Sequence, residues 1–271
     1  MLLWTAVFDQ PKFQTFMTKP NIHFIANSTD TAKESRAVMI ERYGQSAKDQ
    51  ADIIVALGGD GFMLKTQLEF MSSGIPVYGM NKGTVGFLMN EYREDGLYDR
   101  LEKSLRATIH PLQMTAIDAD GAEHKSVAFN EVSLFRQSHQ AARLRIEIDG
   151  NERMAALTCD GIMVATPQGS TAYNLSAHGP ILPLKAPLLA LTPVSPFRPR
   201  NWRGALLPNT AHVKITTLEP EKRPVNAVAD NTEIKSAVEV HIHEDRNATG
   251  ILLFDPEHTW DERILDEQFR Y

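Results

Sequence analysis

Two hydrophobic periods divide the chain. Asn21 to Ala26 alternates apolar and polar residues and predicts a first strand, and Asn27-Ser28-Thr29-Asp30 offers several caps for a helix expected to run to about Tyr43. Residues 51 to 57 form an apolar run of strand length that stops at Gly58-Gly59-Asp60-Gly61. A helix is expected over Phe62 to Met71, a third strand over Ile75 to Met80, and a second glycine-rich loop over Asn81 to Leu88. Leu97, Leu101 and Leu105, four apart, predict an amphipathic helix. Alternation of strand and helix at these lengths implies a small parallel, Rossmann-like sheet with helices on both faces.

After Pro111 the period shortens to two. Leu144, Ile146 and Ile148 lead into the turn Asp149-Gly150, and Val213-Ile215-Thr217 and Val238-Val240-Ile242 repeat the pattern, so the second half is expected to be antiparallel β. The proline-rich stretch Thr192 to Pro208 separates its two parts, and Trp260 to Tyr271 reads as a polar terminal segment or short helix. The expected fold is therefore α/β: an N-terminal extension over 1–16, an α/β domain over 17–110 and a β-rich domain over 111–271.

Composition narrows the function classes. A length of 271 residues accommodates two domains, and 42% hydrophobic with 23% charged residues is the balance of a water-soluble globular chain. A net charge of -6 supplies no footprint for nucleic acid and nothing to attract an anionic membrane. No stretch reaches the ~20 apolar residues needed to span a bilayer. The one cysteine, Cys159, excludes an internal disulfide and fits a reducing compartment, so a cytoplasmic location is expected.

The candidate chemistry begins at the glycine turn. Glycines 58, 59 and 61 carry no Cβ and can take positive φ, so a bulky anion can approach main-chain N–H groups there. Asp60 stands at the carboxyl end of a strand, where open α/β sheets bind ligands, and the following helix turns its N-terminus toward it. Asp-Gly is also an ordinary turn dipeptide, found here at four other places: Asp95-Gly96, Asp120-Gly121, Asp149-Gly150 and Asp160-Gly161. A hundred residues on, Asp160 to Pro180 passes from an apolar strand into a run of hydroxylic, small and glycine residues with almost no charge. Such a loop suits a neutral, hydrogen-bonding ligand part such as a base or ribose, with Tyr173 as an aromatic face; it equally suits a loop that only docks a helix. Between them, Asn130 can donate and accept, and Glu131 can accept from two vicinal hydroxyls.

Taken in order, Gly58-Gly59-Asp60-Gly61, Asn130-Glu131, and Asp160-Gly161 with Thr166-Pro167-Gln168-Gly169-Ser170-Thr171-Ala172-Tyr173-Asn174-Leu175-Ser176 resembles the NAD kinase family over roughly residues 50 to 255. The resemblance implies a two-domain fold with the NAD site in the cleft, dimers or tetramers, and phosphate transfer from ATP to NAD+ with a divalent cation, Mg2+ carried by the nucleotide. It also implies roles. Asp60 matches the acceptor of the adenosine 2′-hydroxyl proton, with Gly61 against the phosphates. Asn130 and Glu131 match a NAD-contacting pair, Asp160 the carboxylate near the nicotinamide end, and Thr171, Ala172, Tyr173, Asn174, Leu175 and Ser176 the loop around adenine and ribose. Lys65, Ser195 and Asp230 are looser placements within weaker motifs. No residue is assigned to a metal. The chain departs from the family's usual pattern at Phe62 (often Thr), Gln168 (often Thr) and His178 (often Gly).

Phosphoryl transfer asks chiefly for positioning and charge stabilisation, so an Asp of ordinary pKa, near ~3.9, is expected to suffice as proton acceptor. Two other readings stay open. A lipid or sugar kinase shares the Gly-Gly-Asp-Gly turn, against which the long Thr171-to-Ser176 loop argues; a dinucleotide-binding sensor without turnover would not need Asp60. His241, His243 and Asp245 could bind metal but read as solvent-facing residues, and Arg198, Arg200 and Arg203 as a solvated loop.

Overall fold

The computed structural model describes residues 19–81, 86–257, 263, 264 and 269. The expected extension over 1–16, most of the terminal segment, and residues 82–85 of the second glycine-rich loop lie outside the described residues. In chain order the elements are β1 (Ile22–Ala26), α1 (Asp30–Tyr43), β2 (Ile53–Leu57), α2 (Asp60–Phe70), β3 (Val77–Asn81), β4 (Asn90–Glu91), α3 (Leu97–Lys103) and β5 (Leu105–Ile109). There follow β6 (Leu112–Asp118), β7 (Glu123–Ala128), β8 (Glu131–Arg136), β9 (Ala142–Ile148), β10 (Asn151–Cys159), β11 (Gly161–Ala165) and the single turn α4 (Tyr173–Ser176). The last are β12 (Leu188–Val194), β13 (Ala205–Pro208), β14 (Val213–Thr217), β15 (Val225–Ala229), β16 (Thr232–Ile234), β17 (Ala237–Glu244) and β18 (Gly250–Phe254).

Contacts divide the chain into two compact units, one ending at Thr108 and taking back Gly250–Arg263, the other running over Ile109–Thr249 with the residues from Ile264. In the first unit β1, β2, β3 and β18 lie in that order, parallel throughout, with β5 beyond β18 and β4 beside β3. The apolar run Ile53–Leu57 is buried at every position, as a strand covered on both faces must be. Thr29 caps α1 by accepting from the Ala32 N–H at 3.4 Å. Met39 of α1 and Leu97 and Leu101 of α3 share one apolar cluster with Phe24, Val55 and Tyr78.

Three local expectations are corrected. Leu105 does not continue the helix of Leu97 and Leu101: the buried Ser104 hydroxyl donates to the Leu101 carbonyl at 2.7 Å, the helix ends, and Leu105 opens β5. The proline-rich stretch is no separator, since Leu188–Val194 and Ala205–Pro208 pair antiparallel as β12 and β13. The segment after Thr249, expected in the second domain, supplies β18 to the first sheet. Its sequence explains the move: Gly250-Ile-Leu-Leu-Phe254 is apolar on both faces and requires a central strand position.

The second unit stacks two six-stranded sheets, ordered β10-β9-β14-β17-β6-β7 and β13-β12-β11-β8-β15-β16. Inward residues of both, among them Leu144, Ile146, Val132, Leu134, Ile162 and Val164, form one core.

A buried polar knot fixes β18 in place. The Tyr78 hydroxyl donates to Asp255 Oδ1 at 2.7 Å, Arg100 Nη2 donates to Asp255 Oδ2 at 2.6 Å, and the Asp255 N–H donates to Asn90 Oδ1 at 3.0 Å. The Arg100 and Asp255 side chains are only 13% and 12% exposed, so neither charge has water to replace its partner. Asp255→Ala is expected to cost about 3 kcal/mol, because it leaves a buried guanidinium unpaired. Urea unfolding checks this; an unchanged midpoint contradicts it.

Candidate functional site

In the first unit the site forms where the apolar strand β2 runs out. Gly59 is the N-cap of α2 and Asp60 its first residue, so the helix starts two residues earlier than expected and the carboxylate sits on its N-terminal turn. None of Gly58, Gly59 and Gly61 adopts positive φ. Their smallness is used differently: a Cβ at Gly58 would stand 2.9 Å from the Phe62 ring, whereas one at Gly59 or Gly61 would meet no atom, which leaves space before the helix end. A cavity of about 270 Å³ opens at the carboxyl ends of β1, β2 and β3, lined by Asn27, Thr29, Gly58, Gly59 and Asn81 among others. Lys65, one turn into α2, lies exposed on a separate open depression with Lys33, Arg36 and Phe62.

The Asp60 carboxylate is not bare. Its Oδ2 accepts from the Phe87 N–H at 2.7 Å and its Oδ1 from the Leu88 N–H at 3.0 Å. The approach depends on Gly86, where a Cβ would fall 2.2 Å from Asp60 Oδ1. Burial raises the Asp60 pKa above 3.8, while the Leu88 and Phe87 N–H groups and the Arg263 charge oppose the rise. The expectation of an Asp at its ordinary pKa is therefore corrected upward.

In the second unit Asn130, Glu131 and Asp230 gather at one end of the sheet. Asp230, at φ 45° after β15, accepts through its carboxylate from the N–H groups of Phe129 (2.7 Å), Asn130 (3.1 Å) and Glu131 (3.4 Å). The following loop closes on the same corner. Thr166 Oγ1 donates to the Phe129 carbonyl at 2.6 Å, Gln168 Nε2 donates to the Phe129 and His110 carbonyls at 2.8 and 3.1 Å, and a Cβ on Gly169 would be 2.1 Å from the Asn130 carbonyl oxygen. Gln168 thus ties the loop down, a packing role. Glu131 carries a buried Oε2 with no hydrogen-bond partner. Burial and the nearby Asp230 charge push the Glu131 pKa up to about 7. A buried acceptor without a donor is costly in the free protein and is met by a ligand that brings one.

The loop Thr171 to Ser176 splits its duties. Asn174 is fully buried, donating to the Ser170 and Pro180 carbonyls at 3.0 and 2.9 Å and accepting from Thr192 Oγ1 at 2.7 Å, so its amide holds the loop. Tyr173 is 42% exposed, with its ring 5.6 Å from that of Phe135. Thr171, Ala172 and Leu175 are half-buried and Ser176 is exposed. His178 takes φ 61°, the left-handed region where a glycine rests without strain.

Asp160 and Ser195 lie apart from that corner. Gly161 pairs with Phe135 and Val194, while Ala165, at the other end of β11, pairs with Glu131. Four residues of strand, roughly 13 Å at the usual rise, separate the two ends. At the Asp160 end, Arg136 Nε donates to Asp160 Oδ1 at 2.6 Å. Arg136 was not singled out in the sequence, where it is one arginine among many; its strand position opposite Asp160 was the available signal. Ser195 follows β12 at φ 48°.

The remaining candidates are ordinary. Cys159 is buried and its thiol pushed up to about 12, which makes it inert. His241 pairs with Glu239 at 2.8 Å and His243 stacks on His212 at 4.8 Å. Arg198 and Arg200 lie over the exposed Phe197 ring.

Comparison with known proteins bears on family and fold. The family model for the ATP-NAD kinase N-terminal domain matches residues 11–108, and that for the ATP-NAD kinase C-terminal domain matches residues 129–250. An NAD kinase of Mesorhizobium japonicum is 57% identical over 93% of this chain and 98% of its own length, and one of Caulobacter vibrioides 56% identical over 94% and 98%. Among solved structures, yeast NADH kinase complexed with NADH has a TM-score of 0.80 at 21% identity, over 93% of this chain and 89% of its own. An NAD kinase from Archaeoglobus fulgidus in complex with ATP has a TM-score of 0.72 at 20% identity, over 92% and 98%. These two speak for the fold; with both family models matched and relatives sharing more than half their residues with it end to end, the chain belongs to the NAD kinase family.

Proposed function

We propose that this protein transfers the terminal phosphate of ATP to the adenosine 2′-hydroxyl of NAD+, giving NADP+ and ADP. The observation that carries the reading is the half-buried Asp60 carboxylate at the head of α2, held by two main-chain N–H groups and flanked by Gly59 and Gly61, where a Cβ would meet open space. Two of its four lone-pair positions hold main-chain N–H groups, and two remain for a hydroxyl. Asp60 orients that hydroxyl and takes its proton as the phosphorus–oxygen bond forms. A transition state with late proton loss rewards positioning over base strength, and the two N–H bonds supply the positioning.

NAD+ is proposed to meet the Asn130-Glu131 corner, where Glu131 Oε2 accepts from its ribose hydroxyls. Gly61, Lys65, Asp160, Ser195, Asp230 and the Thr171-to-Ser176 loop complete the proposed contacts, Asp230 and Asn174 by holding main chain in place. A divalent cation, Mg2+, would be carried by the nucleotide rather than by a protein cage. When bound it neutralises charge on the transferring phosphate. No group of three or more His, Cys, Asp or Glu among the described residues is placed to cage it. A homodimer or homotetramer belongs to the proposal through the family resemblance, and a cytoplasmic location through the single cysteine. Among the described residues no helix is long and apolar enough to cross a membrane.

Two predictions follow from these carboxylates. Purified protein with NAD+, ATP and Mg2+ is expected to form NADP+, and Asp60→Asn to lower kcat at least about 100-fold with KM for NAD+ little changed. Equal activity in the two proteins removes Asp60 from the chemistry, and no product from the wild type removes the reaction. For Glu131, burial favours the protonated acid in the free protein below about pH 7, whereas accepting hydroxyl donors requires the carboxylate. Calorimetric titration should therefore show NAD+ binding tighten as pH rises through about 7. Glu131→Gln should flatten that dependence and weaken binding about 10-fold at alkaline pH. A pH-independent wild-type Kd would contradict the assignment.

A further inference from the structure

Arg263 stands in the terminal segment, outside every motif, yet it contacts the loop that holds Asp60. Its Nη1 donates to the main-chain carbonyls of Gly86 at 3.1 Å, Phe87 at 2.8 Å and Met89 at 2.6 Å. The N–H groups of Phe87 and Leu88 in the same run point the other way, onto the two Asp60 oxygens. The guanidinium also lies 5.5 Å from the Phe254 ring centroid, on β18. Of the residues whose carbonyls it holds, Met89 is buried and Gly86 and Phe87 are half-buried.

We propose that Arg263 is a positioning residue for Asp60: by gathering the carbonyls of residues 86–89 it fixes the peptides whose N–H groups hold the carboxylate in its reacting orientation. The inference rests on the reading of Asp60 as proton acceptor. Three features support it. A desolvated guanidinium is costly to keep, and here its Nη1 serves one short stretch of main chain. Peptides bonded at both ends polarise one another, so a cation on the carbonyl side strengthens the N–H groups on the other. Finally, Gly86 removes the one side chain that would keep the carboxylate from this loop.

The groups that set the Asp60 charge can be named. On the loop side they are the Phe87 and Leu88 N–H groups, and the formal charge acting on it is Arg263. Taking Arg263 away removes a cation and loosens two donors, and all these changes favour the protonated acid. The acid limb of the kcat profile, which reports Asp60 losing its proton, then moves to higher pH.

The test compares wild type, Arg263→Met, Arg263→Lys and Asp60→Asn as full-length proteins. Arg263→Met is expected to shift the acid limb of kcat up by about one pH unit, so that kcat falls up to about 10-fold low on that limb and is regained toward alkaline pH, with KM for NAD+ changed less than about 2-fold. Arg263→Lys, which keeps the charge, should return most of the limb. Amide hydrogen exchange over residues 86–89 reads the clamp without catalysis and should quicken in Arg263→Met while β2 stays protected. Unchanged exchange over 86–89 overturns the inference, and so does a uniform loss of kcat at every pH with the limb in place. Should Asp60→Asn prove as active as wild type, the reading of Asp60 fails, and the positioning role for Arg263 falls with it even if exchange shows the clamp intact; a failed clamp with an inactive Asp60→Asn overturns only the role of Arg263.

Discussion

A carboxylate taken out of water must find donors, and Asp60 and Asp230 find theirs in main-chain N–H groups. Asp60 holds the Phe87 and Leu88 amides, and Asp230 holds those of Phe129, Asn130 and Glu131. Each bond is charge-assisted and stronger than a neutral one. Each carboxylate also fixes a short irregular run that no sheet ladder would hold. In both units the irregular main chain near the candidate site is organised by a buried acid.

The arrangement has consequences for proton affinity. Burial pushes the proton affinities of Asp60, Asp230 and Glu131 upward. For the two aspartates, N–H donors oppose the rise. Glu131 Oε2 has no donor and faces the Asp230 charge, which places its titration close to neutrality. The free protein thereby keeps one acceptor unsatisfied, and a ligand hydroxyl relieves that cost. In the proposed function Asp60 and Glu131 divide along a physical line: Asp60, with donors, is held in place, and Glu131 Oε2, without one among the described residues, accepts from the ligand.

Much of this was legible in the sequence because it is local. The run from Ile53 to Leu57 announces a strand buried on both faces, and the glycines after it announce its end. Alternation at Leu144, Ile146 and Ile148 gives an antiparallel strand outright. What escaped was non-local. That Gly250–Phe254 returns to the first sheet depends on an opening between β3 and β5 that lies far away in the chain. Arg136 and Arg263 carry no motif, since an arginine's partner is chosen by the fold. Asn174 stood in the right loop, yet whether an amide faces a ligand or its own loop depends on carbonyls at Ser170 and Pro180 that spacing alone does not orient. The positive φ allowed to Gly58, Gly59 and Gly61 is a correct property of glycine that none of them uses; only at Gly58 does the missing Cβ relieve a contact.

The central claim is that each acid-held run responds to NAD+, and the amides bonded to Asp60 and Asp230 are the natural reporters. The most direct measurement is an amide NMR titration with NAD+, following Phe87 and Leu88 in one unit and Asn130 and Glu131 in the other. The account predicts that all four signals move together and saturate with a single dissociation constant. Movement of one pair while the other stays still, or two separate constants, would contradict it.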